Sequence, residues 1–155
     1  MRYSRWEGPT VIQVTDDLWI GNNHDVEYES LVDVNSVLNV ASDMIIRRPV
    51  GNITYAHCGI VDGPGNLLAT YHAAILMLHT LVSSRGATLV VDHDGTTRSV
   101  VISIMYLHSL RRMGWDHWLG VIQSKCKDDI SLHTSHRTAF NRINWRLLST
   151  VIEGV

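Results

Sequence analysis

The residues that could do chemistry are concentrated between Thr88 and Ser99, which reads TLVVDHDGTTRS. Leu89, Val90 and Val91, led in by Thr88, have the apolar, β-branched character of a short buried strand. A loop of small, hydroxyl and ionisable side chains follows, Asp92, His93, Asp94, Gly95, Thr96 and Thr97, with Arg98 at its far end. Ser99 then opens VVISIMYLHSLRRM, an apolar run that predicts a buried helix closed by Gly114. A strand, a tight loop and a helix N-terminus gather backbone N–H groups around an anion. Arg98 adds a planar fork that can grip two phosphate oxygens at once. The spacing predicts a phosphate cradle.

Such a cradle needs a framework, and the rest of the chain alternates accordingly. Met1 to Thr10 reads as an irregular lead-in ending in a Gly8–Pro9 turn. Val11 to Val14 and Leu18 to Ile20 predict a strand pair around the Thr15–Asp16–Asp17 turn. A first helix is expected from Asn23 to Val34, a central strand from Ser36 to Ala41, and a loop at Arg47, Arg48 and Pro49. Ile53 to Ile60 reads as the next strand, leading into VDGPGN. Leu67, Leu68, Tyr71, Ala74, Ile75 and Leu78 form a helical stripe within a helix expected from Gly65 to Ser84. Beyond Gly114, Trp115 to Lys125 and Ser131 to Ile152 each fit one helix. The fold class is therefore α/β, a central and mostly parallel sheet flanked by helices.

Composition sets the bounds. The chain of 155 residues is expected to be a single domain with one well-filled core. A formal net charge of −2 argues against a dedicated nucleic-acid or anionic-membrane surface. The sequence shows no membrane-spanning run or signal-peptide core, and its two cysteines make no disulfide framework, so a cytoplasmic or nuclear protein is expected.

The loop resembles the signature of the cysteine-dependent dual-specificity and tyrosine phosphatases, C-x5-R-S/T with Gly three residues after the Cys. Gly95, Arg98 and Ser99 fall where that pattern wants them; the nucleophile position holds Asp92 and the preceding His is replaced by Val91. VTDDLWIGN and VLNV resemble the opening hairpin and a central strand of the same family, so the resemblance runs over residues 11 to 150. It implies a dual-specificity-phosphatase-like fold, no cofactor or metal, and a phosphorylated protein substrate cleaved through a phospho-cysteine intermediate. Asp62 matches the family's general acid, although as the residue before Gly63–Pro64–Gly65 it equally fits an ordinary turn or a helix N-cap. Ser99 matches the hydroxyl that helps the thiolate leave, and is also a plausible N-cap. His93 and Asp94 correspond to positions facing the substrate, with Gly95, Thr96, Thr97 and Arg98 completing the phosphate site. A carboxylate at Asp94 disfavours polyanions, which leaves phosphotyrosine, and then phosphoserine or phosphothreonine, as the expected substrates.

Asp92 changes what can be carried over. Its carboxylate inherits the N–H groups and helix dipole that would hold a thiolate, and is expected to face Arg98. It also fills the cradle with negative charge where a phosphate dianion must land. The chain is therefore expected to be nearly inert and a weak phosphate binder. A natural pseudophosphatase serving as an interaction module, or a Cys-to-Asp inactivation of an active enzyme, would both leave this sequence. The retention of Asp62, Gly95, Arg98 and Ser99 favours the second. DHDGT also resembles the D-x-D-G-T motif of haloacid-dehalogenase-like phosphotransferases, with Asp92 as a Mg²⁺-assisted nucleophile and Asp94 as acid/base. That motif normally opens its fold, and too little chain follows Asp94 here to complete one.

Overall fold

The computed structural model describes residues 11–27, 33–46 and 52–154. The lead-in at 1–10 and the expected loop at Arg47 to Pro49 lie outside the described residues.

Two strands are buried along their whole length, β3 (Ser36–Ala41) and β5 (Thr88–Asp92). Continuous burial is what a parallel strand covered on both faces requires. With β1 (Ile12–Gln13), β2 (Leu18–Asn22) and β4 (Thr54–Ile60) they form a five-stranded sheet in the order β1-β2-β5-β3-β4. Only β1 runs antiparallel; the other neighbours are parallel, as expected. Ser36 and Thr88 pair across the centre, their hydroxyl oxygens 2.6 Å apart, which satisfies two buried polar groups and fixes the β3–β5 register.

Period-two alternation sorts the side chains between two cores. Leu38, Val40 and Val90 pack beneath α2 (Leu68–Arg85), α3 (Arg98–Leu110) and the later helices, whereas Val37, Leu89 and Val91 join Val26 and Met44 on the opposite face. The same parity carries Asp92 to the side of Val90, toward α3. Helix α3 is buried from Arg98 to Ser109 and runs through the middle of the larger core.

Several boundaries differ from the sequence reading. Helix α1 covers Asn23–Glu27; of the rest of the expected helix, residues 28–32 lie outside the described residues, and Asp33 and Val34 are not helical. The single helix expected from Ser131 to Ile152 is two, α5 (Thr134–Arg142) and α6 (Trp145–Glu153). Ile143 is extended between them (φ −68°, ψ 137°), and the Asn144 side chain caps α6 by accepting the Leu147 N–H at 3.0 Å. Helix α4 spans Trp115–Gln123.

Because β2, β5, β3 and β4 are parallel, Asn22, Asp92, Ala41 and Ile60 end at one edge of the sheet. Strand β5 enters between β2 and β3, out of chain order, and that reversal opens a crevice beyond the carboxyl ends of the strands. The candidate chemistry lies there.

Candidate active site

The loop between β5 and α3 curls around the Asp92 carboxylate. Asp92 is fully buried. Its Oδ1 accepts the Gly95 N–H, and its Oδ2 accepts the Ser99 N–H at 3.0 Å and the Thr97 hydroxyl at 2.9 Å. Gly95 makes the curl possible. It has φ 78°, and a Cβ there would stand 2.9 Å from the Gly21 carbonyl carbon, so both conformation and space require glycine. Asp94 faces outward and accepts the Thr96 N–H at 2.9 Å, which turns the loop tip.

Arg98 does not face Asp92. Its Nη1 donates to Asp43 Oδ1 at 2.8 Å and to the Ile60 carbonyl at 3.1 Å. Asp43 follows β3 in a turn pressed against β4, where a Cβ on Gly59 would meet the Ser42 Cα at 2.5 Å. The Ile60 carbonyl also takes the Ser42 N–H at 3.1 Å, so one acceptor ties β4, the Asp43 turn and Arg98 together. Arg98 is buried, yet among the described residues its Nε has no partner, and neither has the buried Ser99 hydroxyl. Buried donors are normally satisfied. Both unpartnered atoms border the loop that curls around Asp92. His93 is half exposed at the rim, its Nε2 3.2 Å from Asp43 Oδ1.

Two carboxylates around Arg98 thus have opposite electrostatics. Burial pushes the Asp92 carboxyl up from the ordinary range, against the pull of the Ser99, Thr97 and Gly95 hydrogen bonds and with a further push from Asp94. Asp43 is held low, first by its hydrogen bond from Arg98. The expectation that Asp92 would be paired with Arg98 fails because Asp43, to which no motif points, occupies that guanidinium.

Asp62 stands just beyond β4 on an exposed loop, two residues after the carbonyl that anchors Arg98. It does not cap α2, whose N-cap residue is Leu67. Its Oδ1 lies 3.3 Å from Nε2 of His136, a fully buried histidine on α5 whose Nδ1 is 2.8 Å from the Tyr71 hydroxyl. Neither His136 nor Tyr71 stands out by motif. Ser99 lies second in α3 instead of at its N-cap, and its N–H rather than its hydroxyl holds Asp92.

A mixed sheet flanked by helices, with a curled strand–loop–helix motif at its carboxyl edge, is the fold of the dual-specificity phosphatases. No protein-family model matches the chain. The chain is 24% identical over 118 residues to dual specificity protein phosphatase 22-B of Danio rerio, a match covering 75% of this chain and 64% of that relative. It is also similar to the crystal structure of DUSP15, with a TM-score of 0.79 at 18% identity over 93% of this chain and 95% of the other. A mouse putative dual specificity phosphatase complexed with zinc tungstate superposes with a TM-score of 0.70 at 18% identity, covering 96% and 94% of the two chains. The chain shares the fold of these solved structures.

Proposed function

We propose that this chain is a protein phosphatase scaffold for phosphotyrosine, and secondarily phosphoserine or phosphothreonine, with its nucleophile position occupied by Asp92. The observation that carries the proposal is the placement of the Asp92 carboxylate. It lies inside a loop that donates two backbone N–H groups and a hydroxyl to it, beside a buried guanidinium with a donor to spare.

With cysteine at that position we infer a two-step displacement. The loop donors and the α3 N-terminus hold a thiolate, which attacks phosphorus as the bond to the leaving oxygen breaks. Arg98 binds the non-bridging oxygens, and Asp62 gives its proton to the leaving oxygen. Water then attacks the phospho-cysteine, returns a proton to Asp62 and releases phosphate, while the Ser99 hydroxyl stabilises the departing thiolate. Aspartate at 92 leaves the fold intact and puts a charge of the wrong sign in the path. The relative's printed name and the tungstate bound by the mouse protein, an oxyanion of phosphate's shape, agree with this reading.

The test is Asp92→Cys, assayed on p-nitrophenyl phosphate without added metal. Turnover is expected to appear. A folded Asp92→Cys chain that stays at background would favour the second reading, a non-catalytic module that binds a partner. That reading already draws on the filled cradle. Turnover by the parent chain with Mg²⁺ would instead support Asp92 as a nucleophile itself.

A further inference from the structure

A circuit of hydrogen bonds leaves the Asp62 loop and returns to it. The Val61 N–H donates to Asn66 Oδ1 at 2.8 Å, which fixes the amide's orientation. Asn66 Nδ2 is thereby turned to the Val61 carbonyl at 2.8 Å and, at 3.3 Å each, to the Gly63 carbonyl and the Tyr71 hydroxyl. Tyr71, accepting from Asn66, directs its own proton to His136 Nδ1 at 2.8 Å. A neutral imidazole that accepts at Nδ1 carries its proton on Nε2. That nitrogen lies 3.3 Å from Asp62 Oδ1. The opposite tautomer would strand the Tyr71 proton and set the Nε2 lone pair against a carboxylate oxygen. Because an amide NH2 cannot accept, the Tyr71 proton turns away from Asn66 to His136 Nδ1, and that choice sets the His136 tautomer.

We infer that His136 is a positioning residue for Asp62: its Nε2–H occupies Oδ1, so the proton destined for a leaving oxygen resides on Oδ2. The second half of the inference rests on the phosphatase reading; the His136 tautomer does not.

The surroundings favour this state. His136 is fully buried and meets the Tyr71 ring edge-on, centroids 6.0 Å apart. The groups facing it are Asp62 from the loop after β4, Tyr71 from α2, His133 at the start of α5, and Arg98 from α3. Burial lowers the His136 pKa, with His133 and Arg98 acting the same way and Asp62 opposing them, so the ring is neutral near pH 7. Burial also raises the Tyr71 pKa and keeps its hydroxyl a donor.

Two measurements test the inference. Nitrogen-15 NMR of the parent chain should show His136 as the neutral Nε2–H tautomer, and Tyr71→Phe should make it a mixture. An Nδ1–H tautomer or an imidazolium in the parent at neutral pH would overturn the contact. In the Asp92→Cys background, His136→Phe should lower kcat on a phosphoserine peptide by about tenfold, the scale of one directed hydrogen bond at a proton donor. On p-nitrophenyl phosphate, whose leaving group needs little protonation, the loss should stay within about twofold. His136→Gln, which restores an N–H, should recover part of the difference. Equal losses on both substrates would overturn the positioning role. An Asp92→Cys chain without turnover would defeat the phosphatase reading alone, because the parent's tautomer still decides the contact.

Discussion

The cradle and the Asp62 loop sit at the same edge of the sheet and are held in opposite ways. The cradle is closed by its own residues. Asp92 reaches its three donors across three, five and seven positions of sequence. The Asp62 loop is tied locally by Asn66, but the Asp62 side chain is braced from a distance, by His136 at a separation of 74 residues and, behind it, by Tyr71, itself 65 residues from His136. Asp92 is buried while the Asp62 side chain is 44% exposed. The Asp92 carboxylate is held by its own loop; the Asp62 carboxylate is exposed, and its aim depends on remote packing. Substitutions in the cradle should therefore change whether chemistry occurs, and substitutions around Asp62 should change how fast and on which leaving groups.

The largest expected effect breaks the cradle's self-sufficiency. Asp92→Cys should raise aryl phosphate turnover by roughly 10³-fold or more over the parent chain, measured without metal. In that background Asp62→Asn should cost roughly 10²-fold, and more for phosphoserine than for activated aryl esters. An equal loss on both would mean that Asp62 acts through structure and not by giving up a proton.

A smaller effect separates the two carboxylates near Arg98. Folding raises the Asp92 pKa, so its protonated form favours the folded state. The contribution of Asp92 should therefore decline as pH rises from the ordinary carboxylate range to its raised value, and level off above it. Asp43 has the opposite sign: its lowered pKa gives stability that is present above the ordinary range and lost as pH falls through the folded value. Its side chain is 66% exposed, so solvent screens most of that. Denaturant unfolding of the parent and of Asp92→Ser, compared between about pH 4 and pH 7, should show the parent losing ground as pH rises. A constant difference would mean that Asp92 is not raised.

What the sequence made legible follows the same division. The strand, turn and helix start that carry Asp92, Gly95, Arg98 and Ser99 were legible because they determine one another locally, whereas the partner of Arg98 was not. Leu38, Val40 and Val90 declared a buried sheet through type alone. Asp43 was not readable, since it is an ordinary turn residue until Arg98, 55 positions later, is brought to it. His136 and Tyr71 were likewise hidden: the i, i+3 spacing of His133 and His136 suggests a metal pair that no second ligand pair completes, and Tyr71 is one aromatic in a helical stripe. The break between α5 and α6 was obscured by apolar residues that continue across it, while the Asn144 cap was the overlooked sign.

The central claim is that Asp92 occupies the site a phosphoryl group would use. Calorimetric titration with sulfate tests it most directly, because sulfate keeps its charge while Asp92 titrates. His93, Asp94 and Arg98 border the loop in both forms, so their influence largely cancels in a comparison of the parent with Asp92→Ser. Near neutral pH the Ser form should bind sulfate about tenfold more tightly, which needs only ~1.4 kcal/mol of relieved repulsion. The ratio should shrink as pH falls and Asp92 takes up its proton. Equal or tighter binding by the parent at neutral pH would contradict the claim.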